Sequence, residues 1–190
     1  MNNTLLECPV PCLQHEGELQ EFIEIYKEMQ PKAVAEIGSF YGGTLWFLLK
    51  NNPNIEKVIV IDMPIPSSDE RYEDMVSAKA QWLQWIPEHT QFQNYVGNSH
   101  DKNLISTVKD NNIYNDIDML HIDGDHTYEG VKADFENFKS LVKKGGMIVF
   151  HDISGIPDVA QFWNEIKAQY PETFREIIHE GGWGIGMIIV

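Results

Sequence analysis

Long apolar runs, basic residues and cysteines are all scarce in this sequence of 190 residues. No stretch approaches the roughly 20 consecutive apolar residues that a membrane-spanning helix needs, so we expect no membrane span. The 14 lysines and arginines are outnumbered by 29 aspartates and glutamates, and the formal net charge is −15. Because such a charge repels phosphate backbones and anionic lipid headgroups, we expect no nucleic acid and no membrane as a partner.

The two cysteines, Cys8 and Cys12, lie on either side of a Pro-Val-Pro segment. A disulfide between them would close only a short loop, so we expect no metal or redox role there. The N-terminal residues lack the basic start and apolar stretch of a signal peptide, which favours a cytoplasmic location. The composition, with 43% hydrophobic and 23% charged residues, is typical of one globular domain over residues 1–190, in which residues 1–31 form an N-terminal arm and helix.

Helical and strand-like patterns alternate along the chain without internal repeats. The apolar periodicity predicts an amphipathic helix over residues 18–30, and strands over 33–37, 58–61, 92–96, 119–122 and 147–150 with helices between them. Two further strands, 174–178 and 183–190, flank Gly181-Gly182 and predict a closing hairpin. This alternation predicts a single Rossmann-like α/β domain, with a mostly parallel sheet and helices on both faces.

Three of the predicted helices have marked ends. A capping box at residues 67–70 predicts one helix that presents a common apolar face made of Tyr72, Met75, Val76, Trp82, Leu83 and Ile86. A second helix runs from Tyr128 to Val142 and is expected to end at the Lys-Lys-Gly-Gly segment 143–146. A third helix begins near Pro157 and presents Val159, Phe162, Trp163 and Ile166.

Polar and glycine residues follow the first predicted strand, in the segment Glu-Ile-Gly-Ser-Phe-Tyr-Gly-Gly-Thr at 36–44. Ligands of parallel sheets bind beyond the carboxyl ends of the strands, and glycines let the backbone approach them closely. The G-x-G-x-x-G pattern of dinucleotide folds is absent, and the acid at Glu36 is better placed for an ammonium group than for a pyrophosphate. The alternative is that this segment is only a tight turn.

The next two strand ends carry weaker signals. Asp62 ends an apolar strand and could accept both hydroxyls of a ribose, although aspartate is also a common first residue of a loop. Ser99, within a small polar segment, could line an adenine edge. His100 beside it is interpreted as a solvated loop residue, and His121, inside a strand, as a satisfied core histidine.

The last two parallel strands end in the segments Ile-Asp-Gly-Asp-His at 122–126 and Phe-His-Asp at 150–152. Because these strands should be neighbours, Asp123, His151 and Asp152 can converge on one ion, and oxygen ligands suit Mg²⁺ or Mn²⁺. His126 lies within reach of the same point and is a candidate general base. The alternative is that Asp125 and Asp152 cap helices and His151 packs under the C-terminal segment.

These residues together resemble small class I S-adenosylmethionine-dependent methyltransferases, the group that includes catechol and macrolide-sugar O-methyltransferases and cephalosporin hydroxylase-like proteins. The resemblance covers nearly the whole chain and includes I-D-x-x-H-x-Y-x-x-V-x-x-D at 122–134 and G-G-x-x-x-x-H-D at 145–152. It implies an enzyme with a seven-stranded sheet of order 3-2-1-4-5-7-6, whose last strand is antiparallel. The segment 63–85 and the N-terminal arm are its candidate lids.

The resemblance also implies residue roles. S-adenosylmethionine would be held at its methionine end by Glu36, Gly38, Ser39, Gly42 and Gly43, at its ribose by Asp62 and at its adenine by Ser99, with Asp123 also counted among the cofactor residues. Asp123, His151 and Asp152 match divalent-metal positions, and Asp123 and His126 are the expected catalytic residues. The departure is His151, where a carboxylate is commoner.

The expected reaction is methylation of a small-molecule hydroxyl on a sugar, a catechol-like ring or a natural product, assisted by Mg²⁺ or Mn²⁺. One alternative is a non-catalytic S-adenosylmethionine-binding module whose contact surface includes Trp82 and Trp85. The other is a nicotinamide-dependent oxidoreductase on a similar fold. The sequence leaves the acceptor, the metal and homo-oligomerisation open.

Overall fold

A computed structural model describes residues 7–111 and 116–190 of the chain. The strands are β1 (Ala33–Ile37), β2 (Lys57–Asp62), β3 (Gln91–Val96), β4 (Ile117–Ile122), β5 (Val142–His151), β6 (Arg175–Ile177) and β7 (Ile185–Ile189). The helices in the described ranges are α1 (Glu16–Met29), α2 (Gly43–Lys50), α3 (Tyr72–Lys79), α4 (Trp82–Trp85), α5 (Lys102–Asp110), α6 (Tyr128–Phe138) and α7 (Pro157–Gln169), with a 3₁₀ turn at Lys139–Leu141. Residues 1–6 of the predicted arm lie outside the described residues.

The strands form one sheet in the order β3-β2-β1-β4-β5-β7-β6, as predicted. The pairs from β3 to β5 are parallel, and β7 runs antiparallel to both β5 and β6. In register, Ile37 lies opposite both Ile61 and Ile122, and Ile122 lies opposite Phe150. The carboxyl ends of four central strands therefore meet at one edge, which is where loops from distant parts of the chain come together.

Both faces of the sheet are covered, as the continuous apolar strands require. One buried cluster includes the aromatic residues Phe135, Phe138, Phe150, Phe162 and Trp163. The other includes Phe22, Tyr26, Phe47 and Trp82, where α1 and α2 pack on the opposite face. Among the described helices, none is long and apolar enough to cross a bilayer.

The single helix predicted after residue 70 is wrong. Two short helices, α3 and α4, replace it, and Val76 and Leu83 of the predicted apolar face are 46% and 72% exposed. The capping box does not form either, because Asp69 accepts hydrogen bonds from Arg71 instead and the residue before α3 makes no side-chain cap. Met75, Ala78 and Trp82 are buried, and Ile86 packs against the core only in part, so the predicted face was broader than the buried one.

The predicted end of the helix after Tyr128 is also wrong. Helix α6 ends at Phe138, and Val142 begins the ten-residue strand β5, in which Val142 pairs with Ile117. The Lys-Lys-Gly-Gly segment therefore lies inside a strand, at an irregularity between the Val142 and Met147 pairs with β4, and Gly145 and Gly146 form backbone hydrogen bonds with Val190. The closing hairpin and the apolar face of α7 are confirmed.

Candidate functional site

A cavity of about 1090 Å³ lies at the carboxyl edge of the sheet. Its lining comes from the loops after β1 to β5, and two further segments, residues 11–15 and 63–66, close its sides. A drug-sized ligand site has a volume of roughly 300–1,000 Å³, so the cavity is at the upper end of the range for ligand sites. The predicted positions of Gly38, Ser39, Asp62, Ser99 and the later acidic cluster all contribute to this lining.

The glycine loop after β1 is held against the end of β4. Gly38 has a φ of 82°, and a Cβ added there would lie 2.0 Å from the carbonyl oxygen of Asp123. Ser39 donates a hydrogen bond to the carboxylate of Glu36, which is 1% exposed, and Gly42 is the N-cap of α2. The other carboxylate oxygen of Glu36, Oε1, is buried without a hydrogen-bond partner. The loop therefore brings a free helix start and an unsatisfied buried carboxylate oxygen together.

Asp62, at the end of β2, already has three neighbours. Its Oδ1 accepts the backbone N–H groups of Ser39 at 3.2 Å and Phe40 at 3.4 Å, and its Oδ2 forms an ion pair with Lys79 of α3. The carboxylate is thus more than a loop residue, because it fixes the glycine loop and receives a cation from the predicted lid segment. Lys79 had no signal in the sequence, since its position depends on how α3 packs.

A buried carboxylate missed by the sequence analysis lies below the loops after β3 and β4. Asp134 of α6 is completely buried, and its Oδ1 lies 3.2 Å from Nε2 of His100. Burial raises the pKa of Asp134, and the neighbouring Ser99 and His100 offset this only in part. The interpretation of His100 as a solvated loop residue is therefore wrong: 27% of its side chain is exposed, and its Nε2 atom is buried against this carboxylate.

Two acids and two histidines meet where β4 and β5 end. Nε2 of His126 lies 3.2 Å from Oδ1 of Asp123 and 3.3 Å from Oδ2 of Asp152. Nδ1 of the buried His151 lies 3.3 Å from Oδ1 of Asp123 and 2.9 Å from Oδ1 of Asp152. The four predicted side chains are therefore neighbours, as expected from adjacent parallel strands.

Mutual attraction sets the charges in this cluster. Burial raises the pKa of Asp123, but the positive charge of the nearby His151 and the hydrogen bond with His126 lower it well below its usual value. Its hydrogen bond to Asp123 raises the pKa of His126, and burial opposes this only in part. Burial lowers the pKa of His151, yet Asp123 and Asp152 outweigh it and raise that pKa to about 10. The cluster thus raises the proton affinity of both histidines and keeps Asp123 ionised.

The donor set suits a small divalent cation. One ligand atom from each of Asp123, His126 and Asp152 can be chosen so that all three atoms lie within 4.8 Å of one another. Two carboxylate oxygens and an imidazole match the preferences of Mg²⁺ and especially Mn²⁺. This group contains His126 rather than the predicted His151, whose two ring nitrogens are buried without a hydrogen bond of good geometry.

The capping alternative fails for Asp152. Its side chain faces the two histidines, and α7 begins after Ile156 without a side-chain cap. Asp125 does accept the N–H of Thr127, but Thr127 itself is the N-cap of α6. The expected core position of His121 is confirmed at 1% exposure, whereas its expected satisfaction is wrong for Nδ1, which lies 3.5 Å from Glu36 without a hydrogen bond.

The proposed exposure of the two tryptophans is wrong for Trp82. That side chain is 1% exposed, and its indole N–H donates to the carbonyl oxygen of Tyr41 in the glycine loop, while Trp85 is partly buried. Sequence reasoning also missed Gln14, whose amide donates to Asp123 at 3.3 Å, and Trp183 in the cavity wall. No local pattern marks these two residues, because tertiary packing brings both termini of the fold to the cavity.

Residues 35–153 match the family model described as methyltransferase domain. An uncharacterised protein of Acanthamoeba polyphaga mimivirus is 32% identical over 136 residues, which are 70% of this chain and 58% of that protein, so this chain spans little more than half of that relative's length. A structure described as a putative caffeoyl-CoA O-methyltransferase from Staphylococcus aureus is 18% identical, covers 99% of this chain and 92% of its own, and has a TM-score of 0.72. The O-methyltransferase TomG from Streptomyces achromogenes, in complex with SAM, is 16% identical and has a TM-score of 0.67. The match covers 93% of this chain and 80% of TomG. The fold is therefore that of the O-methyltransferases, and the chain belongs to the methyltransferase domain family.

Proposed function

We propose that the chain is an S-adenosylmethionine-dependent methyltransferase that methylates a hydroxyl group of a small molecule. The observation that carries the proposal is the cavity itself, in which a glycine loop, Asp62 and Ser99 lie along one side and Asp123, His126 and Asp152 lie beyond them. The glycine loop, Asp62 and Ser99 supply the contacts that a nucleoside linked to an amino acid needs. The cluster of Asp123, His126 and Asp152 supplies the proton acceptor that a hydroxyl substrate needs.

Most of the proposed cofactor residues line this cavity, and Glu36 and Gly42 belong to the same strand end and glycine loop. Ser39 lies beside the ammonium end of the methionine part, and the buried carboxylate of Glu36, to which Ser39 donates, supplies the opposite charge. Gly38, Gly42 and Gly43 let the loop pack closely against Asp123, Trp82 and Cys12 where α2 begins. Asp62 accepts the ribose hydroxyls, and Ser99 lies at the adenine edge. Asp123 borders both halves of the cavity, because its carbonyl oxygen contacts the glycine loop and its carboxylate faces His126.

The methyl group is already activated by the sulfonium, so the protein has to align the acceptor oxygen and remove its proton. Neutral His126 is the proposed base, because the two carboxylates beside its Nε2 raise its proton affinity and 43% of the side chain is exposed. Asp123 and Asp152 stabilise the imidazolium that results from the proton transfer. His151 is buried behind them, and its Nδ1 lies next to both acids.

A divalent cation fits this donor set, with Asp123 and Asp152 as acidic ligands and His151 or His126 as the imidazole ligand. When bound, such an ion lowers the pKa of an acceptor hydroxyl. One histidine cannot be both the metal ligand and the general base, because the nitrogen that binds the ion is not free to accept a proton. We assign His151, which must lose its proton to bind the ion, to the metal site and His126 to proton transfer.

The acceptor half of the cavity is largely apolar. Leu13, Met63, Ile65, Ile156 and Trp183 line it, and three of them, Leu13, Met63 and Trp183, are 66%, 57% and 48% exposed. Arg71, the basic residue of the lining other than histidine, is paired with Asp69. These walls favour an acceptor with an apolar body, such as a catechol-like ring or a tailored natural product, over a free sugar or a phosphorylated compound.

The experiment is a binding titration of S-adenosylmethionine and S-adenosylhomocysteine by calorimetry, followed by turnover on a panel of hydroxyl compounds with Mg²⁺, Mn²⁺ or a chelator. Binding of both compounds with transfer of the methyl group supports the proposal. Binding of NAD(P) instead would replace it with the nicotinamide alternative. Cofactor binding without turnover on any acceptor would favour the non-catalytic alternative, whose supposed Trp82 contact is buried.

The same proposal includes one methyltransferase domain over residues 1–190 and a cytoplasmic location. The first is supported by the two core clusters, which pack on opposite faces of one sheet. The second is supported by Cys8 and Cys12, which are free thiols, as is usual in a reducing compartment. Size-exclusion chromatography with light scattering would decide between a monomer and a homo-oligomer.

A further inference from the structure

A fully buried carboxylate outside the cavity joins the first helix to the last loop of the fold. Glu18 of α1 is 0% exposed, and no Lys, Arg or His among residues 7–111 and 116–190 forms an ion pair with it. Its oxygens instead accept the backbone N–H groups of His179 at 3.0 Å, Trp183 at 3.1 Å and Gly184 at 3.0 and 3.1 Å. Burying a charge is costly, and these charge-assisted hydrogen bonds are what compensates for it.

The backbone of the loop is shaped around this carboxylate. A Cβ added at Gly182 would lie 2.1 Å from Oε1 of Glu18, so the close approach requires a glycine there. The loop in turn places the side chain of Trp183 in the cavity wall. The buried acid therefore determines where one wall of the cavity lies.

The loop also holds the segment that follows Asp152. The carbonyl oxygen of Trp183 accepts the N–H groups of Ser154 and Gly155, both at 2.9 Å, and the carbonyl oxygen of Gly184 accepts that of residue 153 at 3.3 Å. Asp152 itself has a φ of 66°, a left-handed conformation that is unfavourable for a residue with a side chain and persists only when its surroundings impose it. The next three residues are thus tied to the loop that Glu18 grips from the other side.

We propose that Glu18 is a positioning residue of the active site, acting through the loop 179–184 on both Trp183 and the backbone conformation of Asp152. This inference rests on the proposed function only in that Trp183 lines the acceptor half and Asp152 belongs to the metal and base cluster. The carboxylate touches neither acceptor nor cofactor. Glu18 acts through the backbone of Trp183 and Gly184. The N–H groups of these two residues bind Glu18 of α1, and their carbonyl oxygens bind the segment that follows β5.

The test compares Glu18→Gln with Glu24→Gln, the same change at an exposed position of α1. In Glu18→Gln, the NH₂ group of the new side chain would face backbone N–H groups of the loop, and two donors cannot form a hydrogen bond. The loop should therefore lose part of its attachment to α1, while the helix keeps its length and shape. Hydrogen exchange should accelerate by about tenfold or more in residues 180–184 and 153–156 and stay unchanged in β1, β2 and β4. Acceleration across the whole sheet, or none in residues 153–156, would overturn the proposal.

Two functional readouts separate positioning from general stability. Mn²⁺ alone, added to the full chain, should bind Glu18→Gln roughly tenfold more weakly, with S-adenosylhomocysteine affinity within about twofold of the wild type. Acrylamide should quench tryptophan fluorescence more strongly in Glu18→Gln, and this difference should vanish when Trp183 is also changed to Phe. Equal losses of Mn²⁺ and S-adenosylhomocysteine binding, or a quenching difference that persists without Trp183, would contradict the assignment.

A second variant covers the case in which Glu18→Gln does not fold. Gly182→Ala leaves the carboxylate in place and displaces the loop, so it should reproduce the accelerated exchange at residues 153–156. Unchanged exchange there would refute the link. If the wild type binds no S-adenosylhomocysteine, the proposed function fails, whereas the exchange and quenching measurements still decide the role of Glu18.

Discussion

Replacing Asp62 by Asn tests the proposed cofactor site at a residue whose contacts with the glycine loop and Lys79 were not predicted from the sequence. Oδ1 holds the loop through the N–H groups of Ser39 and Phe40, and Oδ2 is paired with Lys79. Asn can keep its Oδ1 on the loop, so the fold should survive. Its Nδ2 then presents a donor where the ribose hydroxyls need an acceptor.

The expected loss follows from the bonds removed. Two hydroxyl hydrogen bonds to a carboxylate contribute about 2–3 kcal/mol. Their loss should increase the dissociation constant of S-adenosylhomocysteine roughly 30- to 150-fold. Lys79→Met is the matched control. Lys79 competes with the ribose for the same carboxylate, so its removal should leave the affinity equal or tighter.

Calorimetry measures the affinities, and thermal unfolding checks the fold of each variant. Asp62→Ala should lower the melting temperature more than Asp62→Asn, because Ala leaves the two loop N–H groups without their acceptor. A dissociation constant for Asp62→Asn within about threefold of the wild type, with an intact melting curve, would refute the ribose role and leave Asp62 as a residue that only holds the loop.

Three further outcomes are expected. Gly38→Ala should abolish S-adenosylhomocysteine binding in calorimetry, since its Cβ would lie 2.0 Å from the carbonyl oxygen of Asp123; a normal titration would disprove this close approach. His126→Ala should reduce kcat by roughly 10²- to 10⁴-fold once an acceptor is known, with cofactor affinity retained, and a fully active variant would exclude His126 as the base. Burial raises the pKa of Asp118, but hydrogen bonds from Lys143 and two backbone N–H groups outweigh it and lower that pKa, so its stabilising effect is present above about pH 4 and is lost as the pH falls further. Urea unfolding of Asp118→Asn should therefore show a deficit at about pH 7 that shrinks below about pH 4, and a constant deficit would contradict this.

The alternation of strands and helices and the convergence of polar residues at the strand ends could be predicted from local patterns, whereas the strand order came from the resemblance to class I methyltransferases. Apolar runs that end in Asp62, Asp123 and Asp152 identify strand ends, and parallel strands bring their ends to one edge whatever the helices do. The helices were predicted less well. Leu83 has the right spacing for a buried face, but the chain turns at residues 80–81, so tertiary packing decided its exposure.

Long-range partners were beyond the sequence for a different reason. His100 resembles any polar loop residue until Asp134, 34 positions later, is found buried beneath it. Lys79, Gln14 and Glu18 likewise have no periodicity or motif that marks them, since their partners lie on other elements. A single sequence shows which residues follow a strand, but not which distant side chain completes the group.

The two halves of the cavity have different origins along the chain. The glycine loop, Asp62, Ser99 and the Asp123–Asp152 cluster all lie within the residues 35–153 that match the family. Residues 11–15, Ile156 and Trp183, which form much of the acceptor wall, lie outside that range. In the proposed function, acceptor preference can therefore diverge between relatives by changes in residues 11–15, Ile156 and Trp183, while the cofactor residues within 35–153 are preserved.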